Sequence, residues 1–100
     1  WDFVICAANQ LINHIDKINV MSDGEWNPTL LIRVGKGSDT PLDPGHQHKA
    51  DYTEEFSSML KHIPVIKLDT AEKILPAYTE ALQRGGPTVL VEYPELYYAN

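Results

Sequence analysis

MSDGEWNPTLLIRVGKGSDTPLDPGHQH, residues Met21 to His48, is the stretch on which the reading of this chain turns. At its centre, Thr29 to Val34 is a short apolar run rich in branched side chains. Asn27-Pro28 precedes it and Gly35-Lys36-Gly37 follows. That is the pattern of a buried strand feeding a glycine-loosened loop. Arg33 interrupts the run and has to reach water or a carboxylate, because a guanidinium is almost never buried unpaired. The loop is polar, with Asp39, Asp43 and Gly45, and it closes on His46-Gln47-His48. In an open parallel sheet ligands sit at the carboxyl ends of the strands, which makes this loop the first place to look for a site.

Outward from the strand, the flanking segments alternate in type. Before it, Asp2 is a candidate helix N-cap, and Val4, Ala8, Leu11, Ile15 and Ile18 recur at spacings of three and four as one apolar stripe. Asn9, Gln10, Asn13, Asp16 and Lys17 lie off that stripe, on the polar side. After the loop, Asp51 with Glu54 has the spacing of a capping box, and Tyr52, Phe56, Met59 and Leu60 follow at helical spacing until Pro64 stops them. Val65 to Leu68 is a second strand. Asp69 with Glu72 repeats the capping spacing ahead of a third helix, which holds Pro76 and stops at Gly85-Gly86. Thr88 to Tyr93 is a third strand. Short apolar strands alternating with helices predict a parallel α/β sheet covered on both faces and left with open edges.

The chain has 100 residues, about one small domain, with 43% hydrophobic residues, so it has enough apolar content to fold around a core. Fourteen acidic against eight basic residues give a net charge of −6, which argues against nucleic acid or an anionic membrane as partner. No apolar run approaches the roughly 20 residues that a membrane span needs. A single cysteine, Cys6, excludes an internal disulfide framework and fits a reducing compartment. Its place in the first helical turn, with no histidine near it in sequence, predicts a small core residue. The chain opens on Trp1 rather than methionine, which sets the expectation of a piece of a longer protein.

Residue types with chemistry are few. His46 and His48, with Asp43 and Asp51 near them, offer imidazole and carboxylate to a divalent metal, but such a site needs three or four converging ligands. Spacing alone leaves two solvated loop histidines as the ordinary alternative. His14 and His62 read as surface and helix-end residues. Gly35-x-Gly37 lacks the third glycine that opens a phosphate-binding helix. Phe3, Tyr93, Tyr97 and Tyr98 stand at element ends, where aromatic rings often pack at a domain or subunit boundary. No pairing is legible for Glu54, Glu55, Glu92 or Glu95.

Asp2-Phe3, Gln10-Leu11-x-Asn13, Met21-Ser22-x-Gly24, Ile32-Arg33 and Gln47-His48 fall in one order along the chain. His62-Ile63-Pro64 and the closing Val91-Glu92-x-Pro94-Glu95-Leu96-Tyr97 follow them. Together they resemble the pyrimidine-binding domain of transketolase-type thiamine diphosphate enzymes. Within that superfamily the nearest likeness is to the beta subunit of the 2-oxo acid dehydrogenase decarboxylating component, and it covers nearly the whole chain.

That resemblance implies a parallel α/β domain holding the aminopyrimidine end of thiamine diphosphate at a subunit interface. The magnesium and the diphosphate would belong to a diphosphate-binding, alpha-type partner, and the substrate would be a 2-oxo acid. It implies that Phe3 packs on the aminopyrimidine ring, that His48 faces the reacting carbon and serves acyl transfer, and that Arg33 is structural. It implies no metal ligands on this chain, a homo- or hetero-oligomer, and a cytoplasmic or mitochondrial-matrix location. There are departures. The family's glutamate for the aminopyrimidine belongs upstream of Trp1, the usual His-Ser-Gln reads His48-Lys49-Ala50, and the segment from there to His62 is longer than usual. On this reading the chain is part of a pyrimidine-binding domain, inactive when isolated. Two other readings stand beside it: a non-catalytic α/β interaction module of the same fold, and a small metal-binding domain using His46 and His48.

Overall fold

Three parallel strands, β1 (Leu30–Gly35), β2 (Val65–Leu68) and β3 (Pro87–Glu92), form one sheet in the order β1-β3-β2. Leu30 to Gly35 lie opposite Pro87 to Glu92 in register, and Val65 to Leu68 opposite Val89 to Glu92. The computed structural model describes residues 1–40 and 42–97. Tyr98, grouped above with the other terminal aromatic residues, lies outside them.

β3 holds the centre because it can be buried on both faces. Thr88, Val89, Leu90 and Val91 have no exposed surface. Strand side chains alternate between faces, so Val89 and Val91 point one way and Leu90 the other. Val89 and Val91 join Val34, Trp1, Leu11, Phe56, Leu60 and Ile63 in one core cluster, while Leu90 joins Leu68 and Ala77 in a second. Burying each large apolar side chain of these clusters stabilises the fold by about 2 kcal/mol. The first face is covered by the N-terminal helical stretch and helix α2 (Thr53–Met59), the second by helix α3 (Ala71–Arg84). Ala77 and Ala81 are the buried residues of α3, small enough to let the helix lie close on the sheet.

The N-terminal stretch is not the single regular helix that its stripe predicts. It winds as a 3-10 turn (Val4–Ala7), then a π-helix (Gln10–Ile15), then a short helix α1 (Ile18–Met21). The Asp16 N–H reaches the Leu11 carbonyl at 3.0 Å, five residues back, so one residue more than usual is spent on that turn. The changed winding carries Asp16 to the inside, where it is 2% exposed, and not to the polar side where regular spacing puts it. Its Oδ2 accepts the Lys61 N–H at 2.8 Å, and its Oδ1 accepts those of His62 and Ile63 at 2.8 and 2.9 Å. Burial pushes the Asp16 pKa up, but these three donors and the nearby His62 carry it below the usual carboxylate value.

The same tight first turn leaves Cys6 exposed, against the expectation of a core residue. The capping expectations also change. Phe3 occupies the first N-cap with no side-chain bond, so Asp2 does not cap. Asp51 accepts from the Thr53 N–H (3.1 Å) and hydroxyl (2.5 Å) without a capping box. Asp69 pairs with Lys73 at 2.5 Å instead of capping α3. At α3 the helix runs through Pro76 to Arg84, and Gly85 and Gly86 follow with φ of 72° and 73°, conformations that glycine adopts without strain. Among the described residues no helix is long and apolar enough to cross a membrane.

Candidate functional site

The loop after β1 is folded back on itself. The Gly37 N–H donates to the Ala50 carbonyl at 3.0 Å, closing the base. A Cβ at Gly37 would run into the Lys49 backbone, so this closure requires glycine. Lys49 reaches across to Asp39 (2.5 Å) and Asp43 (2.9 Å), and the two carboxylates hold its pKa above the ordinary lysine value. Asp43 also accepts the Gly45 N–H at 2.9 Å, and Gly45 turns with φ of 88° into the 3-10 turn His46–His48. The outcome is a pinned loop that presents His48 at the carboxyl edge of the sheet.

The chain's first residues arrive at the same edge. The Trp1 backbone nitrogen donates to the Gly35 carbonyl at 2.8 Å, at the last residue of β1. The Trp1 indole lies on Phe56, with centroids 4.9 Å apart, and donates to Thr53 Oγ1 at 3.2 Å. Anchored there, the segment sets the Phe3 ring against the His48 imidazole, with centroids 5.6 Å apart and planes 22° from parallel. Residues 45 positions apart in sequence, Phe3 and His48, are thus brought together. Phe3 remains 75% exposed, so most of its ring is open to a ligand or partner.

Two hollows flank the pair. One, of about 390 Å³, is an apolar groove that includes Phe3, Val4, Ala7, Leu11, Leu30 and Ile32 in its walls. The other, of about 340 Å³, lies between the loop and the C-terminal turn (Pro94–Leu96), with His48, Lys36, Leu42, Pro44, Pro94 and Tyr97 around it. Lys36 is held by Glu95 at 3.3 Å and lies 4.9 Å from the centroid of the Tyr93 ring.

Beside the second hollow is the carboxylate that Arg33 requires. Glu92, at the end of β3, takes Arg33 Nε on Oε2 at 2.7 Å and the second guanidinium nitrogen on Oε1 at 3.1 Å. Tyr78 donates its hydroxyl to Oε2 at 2.6 Å and Tyr97 donates to Oε1 at 2.8 Å. Each oxygen therefore accepts one guanidinium N–H and one phenol. The Arg33 bond above all, with the two tyrosines adding to it against burial, holds the Glu92 pKa at about 2. Arg33 belongs to β1, Tyr78 to α3 and Tyr97 to the C-terminal turn, so one carboxylate ties three segments to the central strand. Arg33 itself is exposed and carries no contact with Phe3 or His48 in this cluster.

Two consequences can be measured. Gly37→Ala is expected to destabilise the chain by about 2 kcal/mol or more, because the new methyl must displace the Lys49 backbone. Urea unfolding gives the cost, and a stability equal to the parent's would show that the loop base yields freely. Acid is expected to loosen the carboxyl edge. The folded pKa of Glu92 (about 2) lies below its ordinary value of 4.5, so its contribution is complete above about pH 4.5 and fades as pH falls through 2. Unfolding curves from pH 6 to 2 should flatten with Glu92→Gln, and an unchanged acid slope would remove Glu92 from this role.

The sequence singles out Phe3 and His48 and names Tyr97 as a boundary aromatic, but does not show the pairing of Glu92 with Arg33, Tyr78 and Tyr97. The available signal was Arg33, which demanded a carboxylate. The identity of that partner depends on parallel register across 59 residues and is invisible in spacing. His46 shares the exposed turn with His48, but among the described residues no three of His, Cys, Asp and Glu come together to hold a metal ion. His14 and His62 are exposed. Comparison of the chain with protein-family models, with curated proteins and with solved structures finds no match.

Proposed function

We propose that this chain is the aminopyrimidine-binding part of a thiamine-diphosphate-dependent enzyme acting on 2-oxo acids, of the 2-oxo acid dehydrogenase or transketolase-like kind. The observation that carries the reading is the Phe3–His48 pair at the carboxyl edge of a parallel sheet, the edge where such sheets receive ligands. A largely open aromatic ring suits stacking on an aminopyrimidine, and an imidazole beside it suits proton transfer near neutral pH. The bound cofactor would supply a carbon nucleophile for the 2-oxo acid. On this chain, Phe3 would hold and orient the ring and His48 would give or take a proton. Magnesium and the diphosphate would be held by a diphosphate-binding partner subunit.

The apolar groove beside Phe3 supports an assembly. Phe3 and Leu30, which line it, are 75% and 39% exposed at the edge strand β1, and a partner covering them would remove apolar surface from water. A dimer or larger complex is expected in sedimentation, and a monodisperse monomer at high concentration would count against it. The same apolar face is what a non-catalytic interaction module of this fold would use. The two readings separate on thiamine diphosphate itself. Mixed with magnesium and a diphosphate-binding subunit, the chain should bind the cofactor with shifts of the Phe3 and His48 ring resonances. Alone, it should turn over no 2-oxo acid. Binding with no shift at either ring, or turnover by the pure chain, would overturn the proposal.

A further inference from the structure

The hollow of about 340 Å³ at His48 has one wall whose position depends on a residue outside it. Tyr97 lines this hollow and also a smaller one of about 170 Å³ with Arg33, Leu68 and Glu92, so its ring stands between the two. It follows the 3-10 turn Pro94–Leu96, held there by two backbone bonds of that turn, Leu96 N–H to Tyr93 O at 2.9 Å and its own N–H to Pro94 O at 3.1 Å. At 56% exposure little packing fixes the ring. Its hydroxyl, however, is bound to Glu92 Oε1 at 2.8 Å, and that oxygen is steadied by the Arg33 guanidinium at 3.1 Å. A phenol tethered to a carboxylate that is itself clamped has far less freedom than one on an exposed turn.

We infer that Glu92 is a positioning residue acting through Tyr97, and that Tyr97 fixes how large an acid side chain the hollow beside His48 admits. This inference rests on the proposed function for its substrate class, though the tether itself does not. Around the hollow, Leu42, Pro44, Pro94 and the Tyr97 ring are apolar faces suited to an aliphatic body, Lys36 is held by Glu95, and His48 is the group to which the proposed function gives the acid–base step. Removing the ring enlarges the space on the side away from the loop. Removing the hydroxyl leaves the ring in place but free to swing.

The tether is tested on the 100-residue chain without ligand. Tyr97 shares the lining of the hollow with Leu42 and His48 and is expected to cast a ring-current shift on their protons, and Tyr97→Leu, which has no aromatic ring, marks its full size. Glu92→Leu, which has no acceptor for the Tyr97 hydroxyl, should remove most of that shift while the Val89 and Val91 methyls of the sheet stay put. In a Tyr97→Phe background Glu92→Leu should change nothing further at Leu42 or His48, because the hydroxyl through which Glu92 acts is gone. Shifts that survive Glu92→Leu at their parent values would overturn the positioning role. Specificity is tested in the complex with the diphosphate-binding subunit, using pyruvate and straight-chain 2-oxo acids of increasing length. Tyr97→Ala should raise the kcat/KM ratio of long over short acids by about tenfold, the usual worth of a methylene or two in an apolar pocket. An unchanged ratio would overturn the specificity role. A parent complex that turns over no 2-oxo acid would defeat both the proposed function and the specificity claim, while the ring-current measurement would still decide the tether.

Discussion

His48→Ala, placed in a complex with the proposed diphosphate-binding subunit, is expected, on the proposed function, to lower turnover of a 2-oxo acid by about a hundredfold or more, the usual worth of a well-placed acid–base group. On the proposed reading cofactor affinity should change far less, since the diphosphate would be held elsewhere and the ring contact would belong to Phe3. Phe3→Ala should show the opposite balance, weakening cofactor binding more than it slows the loaded complex. The stack of the two rings adds a coupling that spacing alone does not give. With their planes only 22° apart, Phe3 braces the imidazole, so Phe3→Ala should also slow turnover modestly, and Phe3→Leu should restore less than Phe3→Tyr. His46→Ala is the control, on the same exposed turn and without an aromatic neighbour of this kind. Sensitivity at His46 with silence at His48 would reverse the assignment of the loop's two histidines.

Asp16→Ala is the substitution expected to cost the fold most. Its carboxylate accepts three backbone N–H groups from Lys61, His62 and Ile63. The Ile63 donor is buried and those of Lys61 and His62 are part-buried, and a buried donor left unpaired costs about 1–3 kcal/mol, so a loss of about 3 kcal/mol is expected for the set. Against the 5–15 kcal/mol that holds a typical domain folded, that is a large share. Asp16→Asn keeps one acceptor oxygen but points an NH₂ at a donor, and should fall between. Urea unfolding measures both, and a loss under about 1 kcal/mol for Asp16→Ala would mean that water satisfies the freed donors.

The strands were legible because their cause is local. Leu30–Gly35, Val65–Leu68 and Pro87–Glu92 are branched, apolar and bounded by proline or glycine, and each lies within about one residue of where the sequence puts it. The parallel sheet covered on both faces followed from the alternation with helices. Asp16 was misplaced because a period of 3.6 assumes uniform winding, and the π-turn at Gln10–Ile15 shifts everything after it. Cys6 was misplaced by the tight turn before it. The capping signatures failed because an aspartate near a helix start has other partners within reach, Thr53 for Asp51 and Lys73 for Asp69. At the site, Phe3 and His48 were chosen by resemblance, and their proximity comes from two anchors no local rule reports: Trp1 on Gly35 and Phe56, and Gly37 on Ala50. The pairing of Glu92 with Tyr97 went unread for the same reason, since it depends on where the last strand and its following turn come to lie, while Tyr97 by itself was read as a boundary aromatic.

The strand order has a consequence for the chain as it is made. β3 is the middle of the sheet and the last of its three strands in sequence, and β1 and β2 pair with it alone. Until Glu92 has left the ribosome, neither earlier strand has its neighbour, and the apolar residues of Leu30–Val34 and Val65–Leu68 wait without a sheet to join. Helices α2 and α3 can wind meanwhile and touch β2, but the central strand of both core clusters is still missing. A nascent chain stalled before Pro87 should therefore stay protease-sensitive along most of its length and bind holding chaperones, becoming resistant in one step once the final strand emerges.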